Sequence, residues 1–92
     1  NGNPNAALNT NNPDFYAYGT PELGFIAIQI TDLNKVDLTI KLVGIDGKIL
    51  KTEIIQAGST ISYLDTRSIY PGVYFIELSH KGSTITKKVA YF

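Results

Sequence analysis

Along most of this chain, apolar side chains recur at every second residue. Val36, Leu38, Ile40 and Leu42 alternate with Asp37, Thr39 and Lys41, and Ile26, Ile28 and Ile30 share one parity in the segment GFIAIQIT. A period of two is the period of an extended strand and misses the 3.6-residue period of a helix. Each such segment therefore reads as a strand with one wet face and one face that must be covered. No window carries a helical stripe, and threonine, isoleucine, valine and tyrosine fill the segments, as strand propensity favours.

Turn residues fall between these runs. Asp46-Gly47 closes a hairpin between the run ending at Leu42 and the return strand KILKTEII, because glycine tolerates the positive φ of tight hairpin turns. Gly58 opens STISYLD. Tyr70-Pro71-Gly72 reads as a turn in which proline pre-sets φ and Gly72 takes the left-handed position. GVYFIELSH follows, with Tyr74, Ile76 and Leu78 inward and Glu77 and Ser79 outward, and Lys81-Gly82 turns the chain into STITKKVAYF. Six strong strands and a weaker seventh near residues 14–18 predict an all-β fold, a small Ig-like antiparallel β-sandwich of about seven strands. The phase of residues 59–69 stays open: either Ile61 and Tyr63 face inward, or Leu64 and Thr66 do, unless a bulge reconciles both.

The sandwich occupies residues 15–92. Residues 1–14 hold six asparagines, two prolines and only three apolar side chains. Such a segment cannot bury enough surface to offset its ordering entropy and reads as an Asn-rich linker. With no methionine before Asn1 and no signal peptide, the chain is expected to be part of a longer precursor. At 92 residues it is long enough for one modest core.

Composition narrows the chemistry. There is no cysteine, hence no disulfide and no thiolate metal site. Eight basic and eight acidic residues cancel, which argues against nucleic-acid binding, because that affinity rests on clustered Lys and Arg. No apolar run approaches the roughly 18 residues of a membrane-spanning helix. The lone histidine, His80, lies at a strand end beside Lys81-Gly82 and reads as a solvated turn residue. No GxSxG motif supplies a nucleophile, the carboxylates stand singly, and no glycine-rich loop could cradle a phosphate. The expectation is no enzyme, no cofactor, no metal and no small-molecule substrate. Six tyrosines and four phenylalanines leave room for sugar stacking. Phe15, Tyr16 and Tyr18 are either an exposed strip of a carbohydrate-binding or cell-surface adhesion module, or an edge strand packed by its own aromatics.

The second half carries three elements in order: a hairpin with Ile45, Asp46, Gly47, Lys48 and Leu50; the strand with Ile69, Gly72, Val73, Tyr74, Phe75 and Ile76; and a final segment with Gly82, Lys87, Lys88 and Val89. This order resembles the type A C-terminal sorting domain of the Bacteroidetes type IX secretion system. There an I-x-D-x-x-G-K hairpin precedes an L-x-x-G-V-Y strand and a terminal K-K-V run. The family's opening Y-P-N-P turn corresponds to Tyr18-Gly19-Thr20-Pro21, which keeps the tyrosine and the last proline.

The resemblance implies an address that directs an attached N-terminal cargo through the periplasm and across the outer membrane to the cell surface or beyond. It implies contact with the outer-membrane secretion machinery, and removal of the domain by a sortase-like peptidase. Lys87, Lys88 and Val89 are then the expected translocon-recognition residues, while Asp46, Gly47, Gly72, Tyr74 and Gly82 are motif residues that serve the fold first. From Lys81 to Phe92 there are three lysines and no acid, a positive stripe suited either to an acidic receptor or to protecting a sheet edge from aggregation.

Overall fold

A computed structural model describes residues 14–31 and 36–92. The expected linker, apart from Asp14, lies outside the described residues. Seven strands follow in chain order: β1 (Phe15–Thr20), β2 (Phe25–Ile30), β3 (Leu38–Gly44), β4 (Ile49–Ile55), β5 (Ile61–Asp65), β6 (Gly72–His80) and β7 (Ser83–Tyr91). They form two antiparallel sheets, ordered β1-β2-β5 and β4-β3-β6-β7. There is no helix among the described residues. This is the Ig-like sandwich the alternation predicts.

Parity decides the core. Ile26, Ile28 and Ile30 of one sheet face Leu38, Ile40, Leu42, Ile76 and Leu78 of the other, and all are buried. Burying each such side chain contributes roughly 1.5–3 kcal/mol relative to exposure. The open phase of β5 resolves in favour of Leu64 and Thr66, both at most 1% exposed, while Ile61 and Tyr63 point outward. The register shift lies elsewhere, in β3 against β4 between Leu42 and Val43. Thr66 is the buried polar residue of the core. Its hydroxyl meets the Tyr91 hydroxyl at 2.5 Å, so β7 is tied to the chain just beyond β5 by a satisfied polar contact.

Two expectations are corrected. Phe15 does not belong to an exposed strip; it is fully buried, because it has the opposite parity to Tyr16 and Tyr18. Gly72 does not occupy a left-handed turn position. It is the first residue of β6, paired with Tyr91, and it is not among the positive-φ residues. The chain has already turned by then, with the Ile69 amide donating to the Thr66 carbonyl at 2.9 Å. A Cβ at Gly72 would meet nothing closer than the Tyr74 ring at 3.6 Å, an ordinary contact.

Gly19, inside β1, is different. A Cβ there would lie 2.3 Å from the Phe25 carbonyl oxygen and 2.8 Å from the Ile26 Cα, both backbone atoms. Gly19→Ala is accordingly expected to cost about 1–3 kcal/mol through overpacking, and Gly72→Ala less than about 0.5 kcal/mol. Urea denaturation of the two variants checks this ranking; equal losses would contradict it.

Candidate functional site

Four of the five motif residues, Asp46, Gly47, Gly72 and Tyr74, converge on one end of the sandwich. Gly44 of β3 pairs with Tyr74 of β6, so the β3–β4 hairpin hangs beside the start of β6. Within that hairpin, Asp46 Oδ1 accepts the Lys48 amide at 3.1 Å, and the Gly44 amide donates to the Lys48 carbonyl at 2.8 Å. Gly47 has φ of 87°, the left-handed conformation that glycine adopts without a Cβ penalty. Asp46 and Gly47 thus build the turn, as expected. Between this hairpin and β6 opens a cleft of about 420 Å³, lined by Asp46, Lys48 and Leu50 on one side and Pro71, Gly72 and Tyr74 on the other.

Tyr74 closes the inner wall. Its ring stacks edge-on against Tyr91, with centroids 6.3 Å apart, and its hydroxyl donates to the Tyr70 carbonyl. It is half-buried and packs against the core from the border. The same end carries the exposed apolar side chains of Ile45, Tyr70 and Phe92. Gly82 lies at the opposite end. With Lys81 it forms a two-residue turn, both at positive φ (46° and 84°), the pairing that a right-twisted hairpin favours.

The end at which β1 begins is also remote from the motif cleft. The Thr66 amide donates to the Gly24 carbonyl, and its side chain and carbonyl meet the Tyr91 hydroxyl, which places the β1–β2 turn beside Thr66 and Tyr91 at the far end of β1. Asp14 and Phe15 lie at the other end of β1. Five residue steps of about 3.4 Å separate Phe15 from Thr20, or roughly 17 Å.

The three residues expected to meet a receptor have three different environments. Val89 is 5% exposed and belongs to the core. Lys88 points outward and is exposed. Lys87 shares the inward parity of Ile85, Val89 and Tyr91, and its side chain leaves the sandwich at the edge of β1. There Lys87 Nζ donates to the Phe15 carbonyl at 2.8 Å and pairs with Asp14 Oδ1 at 2.8 Å. It also lies 5.3 Å from the Phe15 ring centre and 5.5 Å from that of Tyr16, within cation–π range. Asp14 Oδ1 in turn accepts the Phe15 amide at 2.7 Å. An edge strand leaves N–H and C=O groups without a strand partner. At Phe15 both are satisfied, one by Asp14 and the other by Lys87.

Asp14 carries no signal in the sequence, because it ends the Asn-rich segment and no local pattern links it to a residue 73 positions later. The Lys87 side chain, hydrogen-bonded to Asp14, holds its carboxyl below the ordinary value of 3.8, helped by the Phe15 amide. Asp65 is lowered for the same kind of reason, by the side chain and backbone amide of Arg67, but that pair is open to solvent.

The chain belongs to the secretion system C-terminal sorting domain family, the sorting signals of type IX secretion, whose model matches residues 16–91. That span covers all seven strands except the first residue of β1. The family is one of sorting signals and not of enzymes. It implies an attached N-terminal cargo, an interaction with the secretion machinery, and export to the cell surface or outside. Comparison with curated proteins found no match.

Lys87 and Lys88 should separate in a stability measurement. Lys87→Met is expected to cost about 0.5–1 kcal/mol, a value kept low by the solvent access of the pair, whereas Lys88→Met stays within about 0.5 kcal/mol. The Asp14 contribution has a pH signature. A lowered carboxyl pKa contributes stability above the unfolded value of 3.8 and loses it as pH falls through the folded value. The melting temperature of Asp14→Asn should therefore lie below that of the parent at pH 7, and the gap should close as pH falls below 3.8. A gap that is constant with pH would contradict the pairing.

Proposed function

We propose that this domain is the folded address by which the type IX machinery takes an attached N-terminal cargo from the periplasm across the outer membrane. The observation that carries this reading is the family match over residues 16–91. The placement of the motif residues supports it. The hairpin motif and the Gly72–Tyr74 element meet around one open cleft, at the end of β1 away from Asp14. A receptor could grip the cleft end while cargo extends from the other.

In this reading Lys88 is the cationic contact, offered outward beside Phe75 on the four-stranded sheet. Lys87 and Val89 serve recognition indirectly by fixing β7, the first through the edge of β1 and the second through the core. A positive side chain on an otherwise neutral domain suits an acidic docking surface and speeds encounter with it. Removal by a sortase-like peptidase would fall on the N-terminal side of Asp14, in the Asn-rich residues 1–13.

The test is a reporter joined behind a periplasmic export signal and followed by all 92 residues, expressed in a host with this secretion system. The reporter should reach the surface or the medium. Lys88→Glu should reduce that several-fold without lowering the melting temperature. A reporter that stays periplasmic with the unaltered domain would overturn the reading.

A further inference from the structure

The outward face of the three-stranded sheet is a second surface, with no part in the sorting reading. On β1 it presents Tyr16 and Tyr18, on β2 Ala27 and Gln29, and on β5 Ile61 and Tyr63. The register aligns them in rows: Tyr18 lies opposite Ala27, which lies opposite Tyr63, and Tyr16 lies opposite Gln29, which lies opposite Ile61. Ala27 points outward yet is only 1% exposed. Its cross-strand neighbours are the two tyrosines, so their rings must lean over it and lie along the sheet. Phe25 completes the layer, with its ring edge-on to Tyr63 at 5.0 Å. Even so, Tyr16, Tyr18 and Tyr63 remain 49–63% exposed.

The other sheet shows what an ordinary wet face of this protein looks like. There Lys41, Glu77 and Thr86 form one outward row, and Thr39, Ser79 and Thr84 the next. A third outward row there joins Val43, Phe75 and Lys88, so the four-stranded sheet has one aromatic beside a charge, whereas the exposed tyrosines of the strands cluster on β1 and β5; a clustered exposed apolar patch marks a contact surface more often than scattered side chains do.

The chemistry of this face selects its occupant. Two of the carboxylates at its border are already paired, Asp65 with Arg67 and Asp14 with Lys87, and none of the six outward residues in its two rows is charged. What it offers is flat aromatic area, phenolic hydroxyls and the Gln29 amide. The rows span two inter-strand steps of about 4.8 Å and roughly four residues along the strands, a footprint of about 10 by 13 Å. That is far short of the roughly 800 Å² per partner that a stable protein interface needs, which argues against a second copy of the chain. It matches a narrow ligand with flat apolar faces and hydroxyl edges.

We propose that this face binds a neutral linear polysaccharide, with sugar rings stacked on Tyr18 and Tyr63 and ring hydroxyls hydrogen-bonded by the tyrosine hydroxyls and the Gln29 amide. The backbones of the two tyrosines lie two strand spacings apart, about 10 Å, with Ala27 between them, so a ligand touching both lies across the strands. The proposal does not rest on the sorting function, and it gives the domain a means of holding an exported cargo near a glycan surface.

Isothermal titration of the full 92-residue chain with cellohexaose, xylohexaose and mannohexaose, with oligogalacturonate as the anionic comparison, tests it. At least one neutral oligosaccharide should bind, more tightly than the anionic one. The double variant Tyr18→Ala/Tyr63→Ala should weaken binding about tenfold or more, equivalent to about 1.4 kcal/mol. Tyr18→Phe/Tyr63→Phe should keep most of it, because the ring faces remain, and Tyr70→Ala, at the motif end, should leave it unchanged. Amide shift changes in the unaltered chain should map to residues 16–18, 27–29 and 61–63, which keeps the test decisive even if the alanine variant fails to fold. Absence of binding to all three neutral probes, shift changes elsewhere, an equal loss in Tyr70→Ala, or a dimer dispersed by Tyr18→Ala would each overturn the proposal.

Discussion

The two sheets are held together by one interlocked layer of branched side chains, and every other feature depends on it. There is no cysteine to staple them, so Ile26, Ile28 and Ile30 against Ile40, Leu42, Ile76 and Leu78 must supply the attraction. That layer fixes parity along every strand. Parity then decides which side chains remain outside to meet anything else. Lys88 and Lys87 are adjacent in sequence, and their roles diverge because one residue step reverses the face.

The Lys87 strut follows from the same constraint. At inward parity near the margin of the sandwich, a lysine stem can run along apolar surface while its ammonium group reaches the rim. The rim here is the edge of β1, where Phe15 exposes a carbonyl and an amide. Asp14 and Lys87 satisfy these groups and each other, joining the first described residue of the domain to its final strand. A charge placed inward at an edge also blocks pairing with another sheet. The lysines at 87 and 88 thus part by direction: Lys87 turns to the edge of β1, and Lys88 points outward, as the proposed receptor contact requires.

Much of the architecture was legible because a strand's code is local. Alternation located the strands, and Asp46-Gly47 and Lys81-Gly82 announced their turns through the φ they permit. The phase of β5 was not legible, since Ile61, Tyr63 and Leu64 are all apolar and only the opposing sheet can choose among them. Gly72 misled for a related reason: a proline–glycine pair usually signals a turn, but the turn here was completed at Thr66 to Ile69. Gly19 gave no signal at all, because its requirement comes from the close approach of β2. The family motifs were readable as strings, but their meeting around one cleft depends on the β3–β6 pairing. The outer tyrosine face likewise appears only when β5 joins β2 and brings Tyr63 alongside Tyr18.

The central claim is that a folded sandwich presents its motif end to the secretion machinery while the Asp14 end stays free for cargo. Amide hydrogen exchange on the domain, alone and with purified outer-membrane secretion machinery, addresses it most directly. The account predicts added protection in residues 44–50, 70–74 and around Lys88, with exchange near Phe15 unchanged. Protection confined to residues 14–18, or loss of protection across β6 and β7 on binding, would contradict it.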